Sequence, residues 1–243
     1  MQNDDLIKRY YSQLLLDGMS VEKQKLLSKK SVTVIGCGGL GSPLATYLAG
    51  SGIGNITLID HDVVELRNLH RQVFYCENDI GTNKVDVLAK YLKSLNSNIS
   101  IQTNAKRSWD LTNKDLKSDL LIDCADNLRT SYSLNKVACE EKIGFLTASV
   151  AGNIGQISLF DNEKNHCCLE CIFPKEGDMD GNDCADIGIL GPSVALIASI
   201  QTSIAIDYLI GEKLHVNQIY RVDTKTFSIQ KNKISPDSSC KIN

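Results

Sequence analysis

Ser31-Val32-Thr33-Val34-Ile35-Gly36-Cys37-Gly38-Gly39-Leu40-Gly41-Ser42-Pro43 is the stretch that decides the fold of this chain. Its first five residues are apolar or β-branched with no charged alternation, the pattern of a strand buried on both faces. Gly36, Gly38 and Gly41 then stand at G-x-G-x-x-G spacing, and Pro43 falls where a helix would begin. Glycines let the backbone turn tightly and approach a phosphate, and a helix N-terminus offers free N–H groups and the positive end of a dipole. A second strand, Asn55-Ile56-Thr57-Leu58-Ile59, ends at Asp60, placed to accept hydrogen bonds from ribose hydroxyls. On these residues alone an NAD or FAD oxidoreductase stays open beside a nucleoside-triphosphate enzyme.

The residues after Asp60 shift the balance. Asn68-Leu69-His70-Arg71-Gln72 sets a cation and two amides soon after the second strand. Lys84 lies in the first turn of an amphipathic helix whose apolar face is Val85, Leu88, Ala89, Leu92 and Leu95. A lysine there opposes the helix dipole, so it either reaches into solvent or is compensated by an anion. A triphosphate would compensate it, whereas a dinucleotide has two phosphates held mostly by backbone and less need of two dedicated cations.

A third strand, Asp119-Leu120-Leu121-Ile122-Asp123-Cys124, leads to Asp126-Asn127. In open parallel sheets ligands bind beyond the carboxyl ends of the strands, so Asp60 and Asp126 should meet in one crevice. A carboxylate facing a triphosphate suits magnesium; the alternative for Asp126 is the N-cap of a helix over Leu128–Glu141.

Working outward, residues 1–30 read as two helices marked by Leu14-Leu15-Leu16 and Leu26-Leu27, and residues 31–150 alternate strand and helix. Ile154–Phe160 starts a second set of strands, and Gln218–Val222 with Phe227–Gln230 reads as a hairpin through Asp223-Thr224-Lys225-Thr226. The expected fold is α/β and Rossmann-like: a mainly parallel sheet with helices on both faces, extended by antiparallel strands in the C-terminal half. We expect one domain over 1–243, with a nucleotide-binding half at 31–150 and a partner-binding half at 151–243. Ser235-Pro236-Asp237-Ser238-Ser239 reads as a mobile tail.

A net charge of −3 with no basic stripe argues against nucleic acid. Nine cysteines, odd in number and with Cys167 and Cys168 adjacent, argue for a reducing cytoplasm and for metal or sulfur chemistry over a disulfide frame. Met1-Gln2-Asn3-Asp4-Asp5 is polar and acidic, unlike a signal peptide. Gly191–Ile210 is largely apolar, but Gln201 and Asp207 interrupt it, so it reads as a buried helix and not a membrane span. His61, His70 and His215 are read as surface or packing residues.

Taken together these residues resemble the ThiF/MoeB family of ubiquitin-activating-type adenylyltransferases. The likeness runs through Arg9-Tyr10, Ile35 to Ser42, Leu58-Ile59-Asp60-His61-Asp62, Asn68 to Gln72, Asn83-Lys84 and Asp123 to Asn127. It continues through Cys168-Leu169-Glu170-Cys171 and Cys184-Ala185-Asp186-Ile187-Gly188-Ile189-Leu190-Gly191-Pro192. The resemblance implies a homodimer that uses ATP and magnesium to adenylate the C-terminal glycine of a ubiquitin-like sulfur carrier ending Gly-Gly. A cysteine desulfurase or another donor would then supply sulfur for the carrier's thiocarboxylate. By position it implies a nucleotide site of Gly36, Gly38, Gly39, Gly41, Asp60, Asp62, Asn68, Arg71, Gln72, Lys84, Asp126 and Asn127. Gly38 and Gly41 would line the phosphate turn, Asp60 would hold the ribose, Asn68, Arg71 and Lys84 would contact phosphates, and Asp126 would hold magnesium.

Three departures from the family pattern stand out. Its N-terminal Arg-Tyr-x-Arg-Gln is here Arg9-Tyr10-Tyr11-Ser12-Gln13, so Ser12 replaces the arginine that reaches the partner subunit's ATP site, with Arg9 or Lys8 as possible substitutes. Its structural zinc uses two Cys-x-x-Cys pairs, but here Cys168 and Cys171 are joined only by Cys240, because position 243 is Asn. Cys167 or His166 could be the fourth ligand, or the site could have decayed to free thiols. Cys184 stands where the thiamine branch has a cysteine able to link to the carrier, although Asp178, Asp180 and Asp183 would raise its pKa.

The leading expectation is an adenylyltransferase for a ThiS-type carrier of thiamine-thiazole synthesis, followed by a MoaD-type carrier of molybdopterin synthesis. Dehydration of a modified tRNA base, NAD-dependent oxidoreduction and a non-catalytic binding module remain as alternatives.

Overall fold

The computed structural model describes residues 3–162, 167–174, 188–237, 240 and 242. The elements in chain order are α1 (Asn3–Leu14), α2 (Val21–Leu27), β1 (Ser31–Ile35), α3 (Gly41–Ser51), β2 (Asn55–Ile59), α4 (Lys84–Leu95), β3 (Ser100–Asn104) and α5 (Asn113–Leu116). They continue with β4 (Leu120–Asp123), α6 (Leu128–Glu141), β5 (Gly144–Ala151), β6 (Ile154–Phe160), α7 (Leu169–Ile172), α8 (Gly191–Leu209), β7 (Gln218–Asp223) and β8 (Ser228–Lys233).

The strands form one sheet in the order β3-β2-β1-β4-β5-β6-β7-β8. The first five run parallel, and β6, β7 and β8 add antiparallel. This is the expected mainly parallel sheet with an antiparallel C-terminal extension. Side chains alternate across each strand, so both faces need cover. Val32, Val34, Leu120, Ile122, Leu146 and Ile157 pack one face against α3, α4 and α8, while Ile35, Leu121, Phe145 and Phe160 pack the other with Tyr132, Leu134 and Ala138 of α6.

Strand order reverses around β1, whose neighbours are β2 and β4. Ile35 pairs with both Ile59 and Asp123. The amide of Gly36 donates to the Ile59 carbonyl and that of Cys124 to the Ile35 carbonyl, both at 2.8 Å. The three loops leaving β1, β2 and β4 therefore start at one level, at the topological switch point where such sheets bind ligands.

Several expectations need correction. β3 is an extra edge strand beside β2, so the segment expected as the third strand is the fourth. Leu15 and Leu16 are exposed, because α1 stops at Leu14 and buries Leu6 and Tyr10 instead. Phe227 lies in the β7–β8 turn with φ 57°, and β8 starts one residue later. Of the tail expected over 235–239, residues 235–237 are described and 238 and 239 lie outside the described residues; the Cys240 amide donates to the Asp237 carbonyl at 3.0 Å, and Cys240 lies beside Cys168. Gly191–Leu209 is the single described helix long and apolar enough to cross a membrane, and half of it is buried in the fold. Its Gln201 is fully buried and donates to the Asp123 carbonyl at 3.2 Å, so the polar residue that interrupts the helix ties it to the sheet.

Candidate nucleotide site

A cavity of about 230 Å³ opens at the switch point, lined by residues that include Gly36, Gly38, Gly39, Asp60, Asp62, Arg71, Gln72, Lys84, Asp126 and Asn127. It is walled on the apolar side by Ile35, Leu40, Ile59, Val150, Ile189 and Val194.

The glycine turn has separable jobs. Gly36 has φ 89°, and a Cβ there would stand 2.6 Å from the Cys124 carbonyl oxygen. A Cβ on Gly41 would stand 1.8 Å from the Gly36 carbonyl oxygen, so Gly41 closes the turn onto itself and is not part of the cavity wall. Gly38 differs: a Cβ there would meet only the Gln72 amide nitrogen, at 3.3 Å, and the space beside it belongs to the cavity. α3 begins here with no side-chain cap, which leaves its positive end for a ligand. The Tyr75 hydroxyl donates to the Cys37 carbonyl at 2.6 Å and anchors the turn from below.

The acidic side is held by backbone. Asp60 accepts from the Cys37 amide at 2.7 Å and the Asp62 amide at 2.9 Å. Burial pushes its carboxyl above the ordinary value, with Lys84 and those amides opposing. Lys84 is almost fully buried and donates through Nζ to Asp62 Oδ2 at 2.8 Å. Within the chain, then, the anion that compensates Lys84 is Asp62. Burial raises the Asp62 carboxyl, but the Lys84 bond and charge outweigh it and hold the group below its ordinary value.

Arg71 reaches the cavity with its guanidinium braced from behind. Nη2 donates to Asn68 Oδ1 at 2.8 Å, and Nη1 meets His70 Nε2 at 2.8 Å. Asn68, expected to contact phosphates, is instead buried behind Arg71 and off the cavity wall, its amide oxygen committed to the guanidinium. Gln72 is buried on the wall, and its Oε1 has no hydrogen-bond partner among the described residues. A buried amide oxygen left unpaired is costly unless a ligand donor meets it.

Asn127, not Asp126, caps α6: its Oδ1 accepts from the Thr130 amide at 2.9 Å. Asp126 is exposed at the cavity lip, its Oδ1 accepting, among the described residues, only a 3.3 Å bond from Asn127 Nδ2. The competing capping role for Asp126 is therefore already taken, and its carboxylate is available to a cation. Cys184 and His166, both singled out in the sequence, lie outside the described residues.

A cysteine cluster stands apart from the cavity. Cys168 Sγ is 4.0 Å from Cys171 Sγ and 3.5 Å from Cys240 Sγ. Cys167 turns away and donates to the Ile234 carbonyl at 3.3 Å, so it is not the fourth member. Cys139 on α6 shares a hydrogen bond with Cys168 that lowers its own pKa and raises that of Cys168.

Residues 10–242 match the ThiF family. The chain belongs to the ThiF family. Its similarity to Xenopus laevis "Adenylyltransferase and sulfurtransferase MOCS3" is 39% identity over 83% of this chain and 45% of that protein. It is 33% identical to the Escherichia coli K12 "Sulfur carrier protein ThiS adenylyltransferase" over 92% of this chain and 90% of that protein. The chain thus spans about half the length of the MOCS3 relatives it matches. Among solved structures, Escherichia coli MccB with MccA-N7isoASN superposes with a TM-score of 0.83 at 25% identity, over 96% of this chain and 74% of that one.

In this ThiF-family chain the cavity also holds residues that sequence reading missed. Lys106 and Ser108 line it from the loop after β3, and Ser149 and Val150 from β5. Ser108 Oγ meets Thr130 Oγ1 at 2.9 Å. Among the described residues the Lys106 ammonium makes a long 3.5 Å contact with Asp115. Recognising β3 would have exposed the first two, since the residues after a parallel strand face the crevice.

Proposed function

We propose that this chain is an ATP-dependent adenylyltransferase that activates the C-terminal glycine of a ubiquitin-like sulfur carrier. The observation that carries the reading is the pairing of two cations, Arg71 and Lys84, with the open turn at Gly38 on one cavity wall. The names of its relatives point to the same chemistry.

The carrier's terminal carboxylate is already ionised at neutral pH and attacks the α-phosphorus directly, with pyrophosphate leaving, so no general base is required. The protein's part is positioning and charge neutralisation. Asp60 receives the ribose with its remaining lone pairs, Gln72 Oε1 accepts from a ligand donor, and Gly38 and Gly39 border the phosphates. Arg71, fixed by Asn68, and Lys84 neutralise charge as pyrophosphate departs, while Asp62 holds the Lys84 ammonium in place. Asp126 would hold magnesium, whose preference for a carboxylate plus phosphate oxygens matches an exposed, otherwise uncommitted carboxylate at this lip. When bound, that ion would screen the phosphate charge.

Of the two carriers, the ThiS type is preferred, because the similarity to the ThiS adenylyltransferase covers nearly all of both chains. The MoaD type is the second reading. Cys184 would form the covalent carrier link in the ThiS case. The reading includes a homodimer that covers the exposed Tyr11, Leu15 and Leu16, a sulfur donor such as a cysteine desulfurase, and a reducing cytoplasm that suits the free thiols. It also includes a structural zinc on Cys168, Cys171 and Cys240, whose sulfur spacings suit a tetrahedral thiolate site.

Carrier-dependent ATP–pyrophosphate exchange tests the function, with ThiS-type and MoaD-type proteins ending Gly-Gly as substrates. Exchange with one carrier, reduced roughly a hundredfold or more by Arg71→Ala, is the expected result. No exchange with either carrier, together with calorimetric binding of NAD and not of ATP, would overturn it.

A further inference from the structure

The exposed His70 side chain stands directly against the Arg71 guanidinium, with Nε2 at 2.8 Å from Nη1. A guanidinium has N–H donors and no acceptor, and it stays charged in proteins. Nε2 must therefore present a lone pair to it. That fixes the imidazole as neutral, with its proton on Nδ1. Nη1 also reaches the Arg67 carbonyl at 3.4 Å, and Nη2 gives a hydrogen to Asn68 Oδ1 at 2.8 Å. Among the described residues this leaves Nε–H and the second Nη2 hydrogen of Arg71 for a ligand in the cavity that the residue lines.

We propose that His70 is a positioning residue: its neutral imidazole holds the Arg71 guanidinium on the cavity wall, and a proton taken up at Nε2 releases it. The inference rests on the proposed function, in which Arg71 neutralises phosphate charge, and it adds a control of that site by protonation.

The argument is one of sign. A proton on Nε2 occupies the lone pair that accepts from Nη1 and sets a second positive charge against the first, so the contact turns from attraction to repulsion. Asn68 then holds the guanidinium by Nη2 alone. Imidazole is the side chain whose charge changes in the physiological range. Among the described residues the other charged groups of this loop, Glu65 and Arg67, pair with each other, as Asp62 and Lys84 do across the cavity. The start of α8 packs on the His70 backbone, where a Cβ on Gly191 would stand 2.7 Å from the His70 carbonyl oxygen. Its first turn, Gly191-Pro192-Ser193-Val194, carries no ionisable side chain.

Two measurements on the full chain test this. The first needs no activity: ¹⁵N shifts of the His70 imidazole at about pH 8, in the parent and in Arg71→Ala. The parent should show the Nδ1–H tautomer with a hydrogen-bonded, unprotonated Nε2, and Arg71→Ala should move the balance toward Nε2–H. The second is carrier-dependent pyrophosphate exchange by the parent, His70→Gln and His70→Ala between about pH 8 and pH 5.5. A glutamine oxygen accepts from Nη1 and does not titrate, so His70→Gln should stay within about threefold of the parent at the upper pH, while His70→Ala should lose roughly tenfold. On acidification the ratio of His70→Gln to parent should rise about fivefold or more. Because His70 is exposed, all three should melt alike, which separates aim from folding. An Nε2–H tautomer in the parent, a His70→Ala variant as active as the parent, or a ratio that ignores pH would overturn the role of His70 and leave the adenylyltransferase standing. A parent without exchange on either carrier would overturn both.

Discussion

Lys84→Met separates two roles that converge on one side chain. Methionine keeps the apolar stem that fills the first turn of α4 and removes only the charge. The ammonium donates to Asp62 at 2.8 Å, but the Asp62 side chain is 51% exposed, so solvent screens the pair and its loss should cost no more than ~1 kcal/mol. For a chain of this length that is a fall in melting midpoint of about 2–4 °C. Catalysis should suffer far more, because a cation facing developing phosphate charge in a water-poor cavity is worth about 2.7–4 kcal/mol, or ~10²–10³-fold in kcat. The assay is carrier-dependent pyrophosphate exchange beside a thermal melt. The stability effect also has a pH signature. The folded Asp62 carboxyl lies below its ordinary value because Lys84 outweighs its burial, so the pair stabilises the fold above about pH 4 and stops doing so as pH falls through that depressed value. The gap between parent and variant should therefore be flat from pH 6 to pH 8 and close in acid. A variant that keeps more than a tenth of parental exchange would refute the reasoning and reduce Lys84 to a structural partner of Asp62.

Other perturbations probe the frame. Gly41→Ala places a Cβ 1.8 Å from the Gly36 carbonyl oxygen and should cost about 3 kcal/mol or prevent folding, read as a shift in urea midpoint; a change under 0.5 kcal/mol would mean that the turn can open. Asp126→Asn should leave the melt unchanged while abolishing magnesium-dependent exchange, whereas Asn127→Ala should lower stability by about 1 kcal/mol through loss of the α6 cap. Equal melts for those two variants would contradict the division of labour between the neighbouring residues.

Among the residues that line the cavity, the glycine turn, Asp60, Lys84 and Asp126 were legible because they sit at strand ends or helix starts, where local pattern fixes position; Arg71 and Gln72 lie in a loop and were marked by their charge and amide after the second strand, and Asp62 entered only with the family resemblance. What was missed follows from β3. Ser100-Ile101-Gln102-Thr103-Asn104 is an edge strand with mostly exposed side chains, so it lacks the apolar run that marked β1 and β2, and Lys106 and Ser108 beyond it were lost with it. The partner of Lys84 was missed for another reason. Asp62 and Lys84 are brought together by the Lys84 amide donating to the Asp62 carbonyl at 3.0 Å, a tertiary contact that no periodicity announces.

Helix α6 runs from the acidic rim of the cavity at Asp126 and Asn127 to the sulfur cluster at Cys139, a rigid span of ~20 Å at 1.5 Å per residue. Whatever grips the far end of that strut therefore sets the bearing of the near end. Under the proposed function, a disturbance at the sulfur cluster need not unfold the chain to lower activity; a small tilt of one rod would shift the Asp126 carboxylate at the cavity lip.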